Sequence, residues 1–244
     1  MKIKYCTDYE EMSLKAAGSI LSDLRERKHQ RICTATGNSP IGIYEALVRE
    51  YKKSPVLFAQ LSIVKLDEWG GIPMGSPNSC ETYIQEKILR PMEIPDERYI
   101  SFNSDTRDPE RECGRVRAEI DQSSIDTCIL GLGRNGHIGF NEPAQVQEPY
   151  CHVARLSKAS QGHIMVGDLA EKPIYGLTLG MADILRSKKI VILITGEGKQ
   201  KVTKELLRAK IDPQLPASFL WLHPDVECYV DSSSFQHIIT EPQN

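Results

Sequence analysis

The sequence has no Cys-x-x-Cys pair, although it contains seven cysteines: Cys6, Cys33, Cys80, Cys113, Cys128, Cys151 and Cys228. They are scattered, several inside apolar runs where a reduced thiol serves as a small core residue. The odd count and the scatter speak against a disulfide framework and for a reducing, cytoplasmic setting. No run approaches the roughly 18 apolar residues of a membrane helix. The opening MKIKYCTDYEEM has no apolar stretch suited to targeting. Positive charge is not in excess either. The formal net charge is −3, so no global basic field draws in nucleic acid, and an anionic ligand must be held by local groups. Repeats, low-complexity tracts and dividing linkers are also missing.

What remains is an ordinary globular composition, 40% apolar and 26% charged over 244 residues. Residues 8–28 read as a helix with Met12, Ala17, Ile20, Leu21 and Leu24 on one face and a capping box from Asp8 and Glu11. RICTATG (31–37) reads as a short buried strand, followed by a helix with Ser39 as N-cap and Pro40 at its first position. LSIVKLDEW (61–69), 126–133 and KKIVILITG (188–196) read as further strands, and 106–122 as a helix. Another helix starts near Gly198, and ASFLWLH (217–223) and VECYVD (226–231) end the pattern. Strands separated by helices predict a single α/β domain over 1–244. Its sheet is expected to be mostly parallel and doubly wound (Rossmann-like), with helices on both faces. Residues 144–173 are the least periodic and are expected to form a lid, and the tail ITEPQN is expected to fray.

In such sheets ligands bind at the carboxyl ends of the strands. Four of those ends are polar or glycine-rich: TATGNSP, LDEWGG, GLGRNGHIGFNEP and ITGEGKQ. In the third, Gly131, Gly133 and Gly136 have the spacing of a dinucleotide loop. That reading fails, because Gly139 and Pro143 oppose the helix that should follow Gly136, and no second strand ending in an acidic residue lies downstream. His137 and Glu142 remain, a proton carrier for neutral pH and a carboxylate able to fix its tautomer. Taken alone they would be a surface pair; the other strand ends favour a site. A metal centre is not expected, since the six histidines (29, 137, 152, 163, 223 and 237) show no ligand spacing.

Thr36, Gly37, Asn38 and Ser39 lie between a strand and a helix, where hydroxyls and free amides suit a phosphate. The loop lacks the spacing and the lysine of a Walker motif. Asp67 and Glu68 follow a buried strand and should point in different directions, one into the site and one bracing structure. Lys199 sits at the start of a helix and opposes its dipole, a small penalty that an intervening anion would relieve.

Together these stretches resemble the glucosamine-6-phosphate deaminase family, which also holds 6-phosphogluconolactonases and galactosamine-6-phosphate deaminase/isomerases. The resemblance spans almost the whole chain, with LDEW, GLGRNGHIGFNEP, LTLGMADIL and GEGK in the family's order. GHIGFNEP is similar to the deaminases' motif, whereas VKLDEW, GEGKQ and PASFLWLH look closest to the galactosamine branch. The resemblance implies that Asp67 moves a proton between C2 and C1 of an open-chain sugar. It implies that His137 opens the ring with Glu142 tuning it, and that Thr36 to Ser39 and Lys199 hold the 6-phosphate. Gly136 and Glu68 are expected beside the substrate. The implied partner is a phosphorylated amino sugar, with no cofactor, no metal, no nucleic acid and no membrane. A homo-oligomer is left open.

Two departures stand out. Asn135 occupies a position where glucosamine-6-phosphate deaminases carry Asp, so His137 is oriented without an added negative charge; the galactosamine branch resembles this chain there. The deaminases also place a phosphate-binding Arg in the lid, where the nearest residue here is taken to be Lys158, with Arg155 close by. The implied reaction is conversion of galactosamine 6-phosphate to tagatose 6-phosphate and ammonia. Glucosamine 6-phosphate deamination, lactone hydrolysis and a non-catalytic sugar-phosphate sensor are the alternatives, in that order. The sensor reading is set back by the negative charge and by only about 30 residues ahead of the first expected strand.

Overall fold

The structure, a computed structural model, describes residues 1–27, 30–163, 165–167 and 169–235. The tail ITEPQN, His29 and His237 lie outside the described residues. The strands are β1 (Lys2–Cys6), β2 (Gln30–Thr34), β3 (Leu61–Lys65), β4 (Asp67–Trp69), β5 (Tyr99–Ile100), β6 (Thr127–Gly131), β7 (His152–Arg155), β8 (Tyr175–Thr178), β9 (Lys189–Ile194) and β10 (Val226–Asp231). The α-helices are α1 (Tyr9–Glu26), α2 (Ile41–Lys53), α3 (Cys80–Ile84), α4 (Pro109–Ile120), α5 (Lys158–Gln161), α6 (Met181–Leu185) and α7 (Gln200–Leu207).

Seven strands pair in parallel in the order β1-β10-β9-β6-β2-β3-β5. Alternation along each strand sorts the core into two layers. Ile32, Ile63, Ile129 and Val191 face α1 and α2, while Cys33, Val64, Cys128 and Ile192 face α4, α6 and α7. The doubly wound α/β sheet is therefore as expected. From β2 the chain winds outward through β3 to β5, then returns to lay β6 on the other side of β2. The crevice between the carboxyl ends of β2 and β6 is the switch point at which open sheets bind ligands.

Five readings need correction. The stretch 61–69 is two strands. Leu66 donates its amide to Thr34 of the main sheet at 3.1 Å and accepts from Leu179 at 3.0 Å, so the chain changes sheets at that residue. β4 then pairs antiparallel with β8, and β8 with β7, in a separate three-stranded sheet. Residues 216–222 form a 3-10 helix, since a short apolar run with Pro216 at its start has no unique period. β1 precedes the expected first strand; it is an edge strand carrying Lys2 and Lys4, and its half-exposed pattern hides it from a hydrophobicity reading. Finally, α2 begins at Ile41 and its N-cap is Pro40, with no side-chain cap from Ser39. At α1 the Asp8 side chain does accept from the Glu11 amide at 2.8 Å, but Glu11 reaches back to Thr7 instead of Asp8.

Candidate active site

The glycine turn after β6 closes on itself. The Gly133 amide donates to the His137 carbonyl and the Gly136 amide to the Gly133 carbonyl, both at 3.0 Å. Gly136 has φ 89°, a left-handed conformation that favours glycine. A Cβ on Gly133 would collide with Nε2, Cδ2 and Cε1 of His137, so the imidazole lies flat against this glycine. The glycines thus seat a histidine, and no helix opens at Gly136 to meet a pyrophosphate.

The rest of GHIGFNEP anchors that turn to the small sheet. Phe140 packs against Trp69 with ring centroids 4.5 Å apart and fills the space over Gly176. Asn141 is buried and donates to the carbonyls of Ile138 and Leu179, each at 2.9 Å. Gly139 passes so close to Asp67 that a Cβ there would stand 3.5 Å from Asp67 Oδ2. Two strand ends distant in sequence are thereby brought face to face.

His137 Nδ1 lies 2.7 Å from Asn135 Oδ1, which also accepts from the His137 amide at 3.2 Å. Asn135 Nδ2 donates to Glu142 Oε2 at 2.8 Å. A carboxylate only accepts, so Glu142 orients the amide and the amide oxygen assigns the proton to Nδ1. Nε2 is left as the free acceptor. Burial works against the charge of Glu142, but the His137 ring, its Nδ1 3.6 Å away, and hydrogen bonds from Ser160 and Asn135 outweigh it and hold the carboxyl at about 2. Its other oxygen accepts from Ser160 Oγ and the Ser157 amide at the start of α5.

Asp67 is the electrostatic opposite. Burial and the neighbouring Glu68 raise its carboxyl to about 7, against a smaller lowering influence of Lys65. Among the described residues no hydrogen bond engages its carboxylate. Glu68 turns the other way and has no exposed surface. Its oxygens accept from the amides of Trp69, Cys80 and Glu81 and from Lys65 Nζ. It has no acceptor face toward the crevice, so the expectation that it meets substrate is replaced by a bracing role.

At the end of β2, the amides of Gly37, Asn38, Ser39 and Ile41 have no partner among the described residues. The loop is held by its carbonyls instead, with Tyr83 donating to Gly37 at 2.6 Å and Tyr9 to Asn38 at 2.9 Å. Thr36 Oγ1 lies 3.5 Å from Cys80 Sγ. A Cβ on Gly131 would meet Ser39 at 3.6 Å, which joins this loop to the histidine turn. Lys199 is the N-cap of α7, where burial and the Arg134 guanidinium depress its ammonium to about 8. Lys158 is the first residue of α5 and is exposed, with no side-chain bond into the site among the described residues.

Two residues enter that the sequence reading missed. His163 packs beside Trp69, with ring centroids 5.9 Å apart, and its Nε2 would lie 3.5 Å from a Cβ on Gly37. Burial lowers its basicity, as do the positive fields of His137, Lys199 and Arg134. Its Nδ1 accepts from the Met165 amide at 3.3 Å, which puts the proton on Nε2, the atom that faces Gly37. Arg134 neighbours Gly198 beside Lys199. Its charge in the glycine turn was a usable signal, whereas SQGH offered none. A separate cleft of about 470 Å³ behind the turn is lined by Arg134, Asn135, Val202 and Leu215 but not by Asp67 or His137. Among the described residues no group of three or more His, Cys, Asp or Glu is placed to hold a metal ion. No helix among them is long and apolar enough to cross a membrane.

Residues 8–228 match the family described as glucosamine-6-phosphate isomerases/6-phosphogluconolactonase. The chain belongs to this family. It is 39% identical over 226 residues to the Escherichia coli K12 protein named "Putative deaminase AgaI", covering 92% of this chain and 90% of that one. It is 33% identical over 237 residues to the glucosamine-6-phosphate deaminase of Thermoanaerobacter pseudethanolicus, covering 96% and 94%. A solved monomeric glucosamine-6-phosphate deaminase superposes with a TM-score of 0.90 at 32% identity, over 97% of this chain and 99% of that one. A 6-phosphogluconolactonase from Trypanosoma cruzi shares the fold, with a TM-score of 0.79 at 18% identity.

Proposed function

We propose that the protein is an amino-sugar-phosphate deaminase/isomerase that converts galactosamine 6-phosphate to tagatose 6-phosphate and ammonia. The observation that carries the reading is Asp67, a buried carboxyl poised near neutrality with no hydrogen-bond partner among the described residues, set against the turn that presents His137. A proton acceptor works best when its affinity matches the working pH. In the proposed sequence His137 Nε2 shuttles the hemiacetal proton and opens the ring. Asp67 then takes the C2 proton and returns it to C1, converting the aldose amine to a C2 imine. Water adds to C2, ammonia leaves, and the ketose phosphate remains.

The 6-phosphate is assigned to the free amides of the Thr36–Ser39 loop, with Lys199, Arg134 and the Nε2–H of His163 around it. A dianion there neutralises the mutual repulsion of these cations. The segment 144–173 serves as the lid, bringing Ser157 and Ser160 to Glu142 and His163 to the phosphate. Deaminase relatives at 32–39% identity support this chemistry over lactone hydrolysis, where identity is 18% in the Trypanosoma enzyme. The preference for the galacto epimer rests on Asn135 and on the VKLDEW and GEGKQ stretches. Ammonia release from galactosamine 6-phosphate and glucosamine 6-phosphate, measured side by side, is the test. Faster turnover of the gluco sugar reverses the epimer assignment, and no ammonia from either ends the deaminase reading.

A further inference from the structure

Flanking Leu66 and Asp67 in the chain is a buried ionic cluster that takes no part in the proposed chemistry. Lys65 ends β3 with no exposed surface. Its Nζ lies 2.7 Å from Glu68 Oε2, 2.7 Å from Glu81 Oε2 and 3.1 Å from the Phe102 carbonyl, so all three ammonium protons are placed. Glu68 also caps α3 through the amides of Cys80 and Glu81. Glu81 further accepts from Gln85 and from Tyr99 Oη, at 3.0 and 2.9 Å. The cluster is saturated and holds one cation against two anions. A buried ion pair is often matched in stability by apolar residues of the same shape, so stability alone does not account for it.

We propose that Lys65, Glu68 and Glu81 form a positioning unit that sets the proton affinity of Asp67, with Glu68 strengthening it as a base and Lys65 limiting that effect. The geometry makes this direct. Lys65 and Glu68 flank Leu66 and Asp67 in the chain, at the point where it leaves the main sheet for the small one. Both are fully buried and are joined by a 2.7 Å ion pair. The Cys33 thiol from β2, the Tyr44 phenol from α2 and the Cys80 thiol from α3 lie within electrostatic reach of Asp67, and the turn that carries His137 packs against it at Gly139. Burial raises the two thiols and the phenol well above their ordinary values, so they remain neutral across the working range. Thr178, its partner across β8, brings only a hydroxyl. Lys65 and Glu68 are the buried charges that act on Asp67, and they act with opposite sign.

The inference rests on Asp67 as the base, so the test reads Asp67 both with and without turnover. Carboxyl-¹³C aspartate labelling, with the Asp67 signal assigned by its loss in Asp67→Asn, gives its titration by NMR. The pH profile of ammonia release gives the acid limb of kcat/KM. Glu68→Gln is expected to move both to lower pH, by about one pH unit, the low end of what one neighbouring charge exerts on a carboxyl. Lys65→Met is expected to move both to higher pH. Should Lys65→Met not fold, Lys65→Met combined with Glu81→Gln keeps the cluster's net charge, and the same upward movement is expected. An NMR titration that stays with the parent in Glu68→Gln and in the foldable lysine variant overturns the proposal, as does movement of both in one direction. If the NMR titration moves as expected while the kinetic limb stays, the cluster tunes Asp67, and the failure belongs to Asp67 as the base.

Discussion

Asn135 Oδ1 lies 2.7 Å from His137 Nδ1, and the same side chain's Nδ2 donates to Glu142 at 2.8 Å. One neutral amide thus transmits the orientation imposed by a carboxylate, which itself stands 3.6 Å from His137 Nδ1 without a direct hydrogen bond to it. Asn135→Asp would place a second anion on the ring. The imidazolium form should then persist to higher pH, and Nε2 would lose its role as free acceptor over that range. The expected result is a pH profile for ring-closed substrate whose rising limb moves upward. An unchanged limb would mean that Asn135 does no more than pack.

Asp67→Asn keeps the shape but cannot accept a proton. Exchange of the C2 hydrogen with solvent should fall by about 10²–10⁴-fold, the usual range for a general base. Sugar-phosphate binding should persist, because the phosphate is assigned to other residues. The check is deuterium loss from C2-labelled substrate beside an affinity measurement; label loss at the parental rate removes Asp67 from the mechanism.

The same substitution has a stability signature. Asp67 is raised from an ordinary carboxyl value to about 7 in the fold. The unfolded chain therefore releases this proton first as pH rises, and the stabilising contribution is complete below about pH 4 and lost by about pH 7. Asp67→Asn, which cannot ionise, should gain relative to the parent as pH rises from 4 to 8, by up to about 4 kcal/mol. Glu142 has the opposite sign, since its carboxyl is held at about 2. Its contribution is present above about pH 4.5 and disappears toward pH 2. Denaturant titrations at pH 4 and pH 8 separate the two; an Asp67→Asn advantage independent of pH would contradict the raised carboxyl.

His137→Gln should slow ring opening and little else. A substrate that is mostly open, or locked open, should recover activity in this variant but not in Asp67→Asn. Equal loss on both substrates would place His137 in a later step.

The phosphate assignment predicts paired effects. Lys199→Ala should weaken sugar-phosphate binding by about 1.5–3 kcal/mol, the range for a charge-assisted hydrogen bond. His163→Gln should weaken it less, with the difference from the parent growing toward acid pH as the histidine gains its proton beside the dianion. Isothermal titration with a non-reactive sugar phosphate at pH 6 and pH 8 reads both. Affinity that falls equally with the unphosphorylated sugar would dissociate the two residues from the phosphate.

The fold class and several residues of the candidate site were legible in the chain because their signals are local. Alternating apolar residues ending in glycine or carboxylate mark buried strands that stop at a ligand crevice, and this placed Asp67, His137, Glu142, Thr36 to Ser39 and Lys199 at strand ends. Local pattern also limited the glycine turn, since Gly139 and Pro143 oppose the helix a dinucleotide would need. Tertiary structure decided the rest. Only pairing with β8 shows that the chain changes sheets at Leu66, which sends Glu68 into the buried cluster and leaves Asp67 at the crevice. Only the folding of residues 144–173 brings His163 to Gly37 and Ser160 to Glu142 while leaving Lys158 in solvent. The proton affinities of Asp67 and Glu142 differ for the same reason. Both are buried carboxyls; Glu142 meets hydrogen-bond donors brought in from the segment after β7, whereas Asp67 meets none among the described residues and has the Glu68 charge beside it.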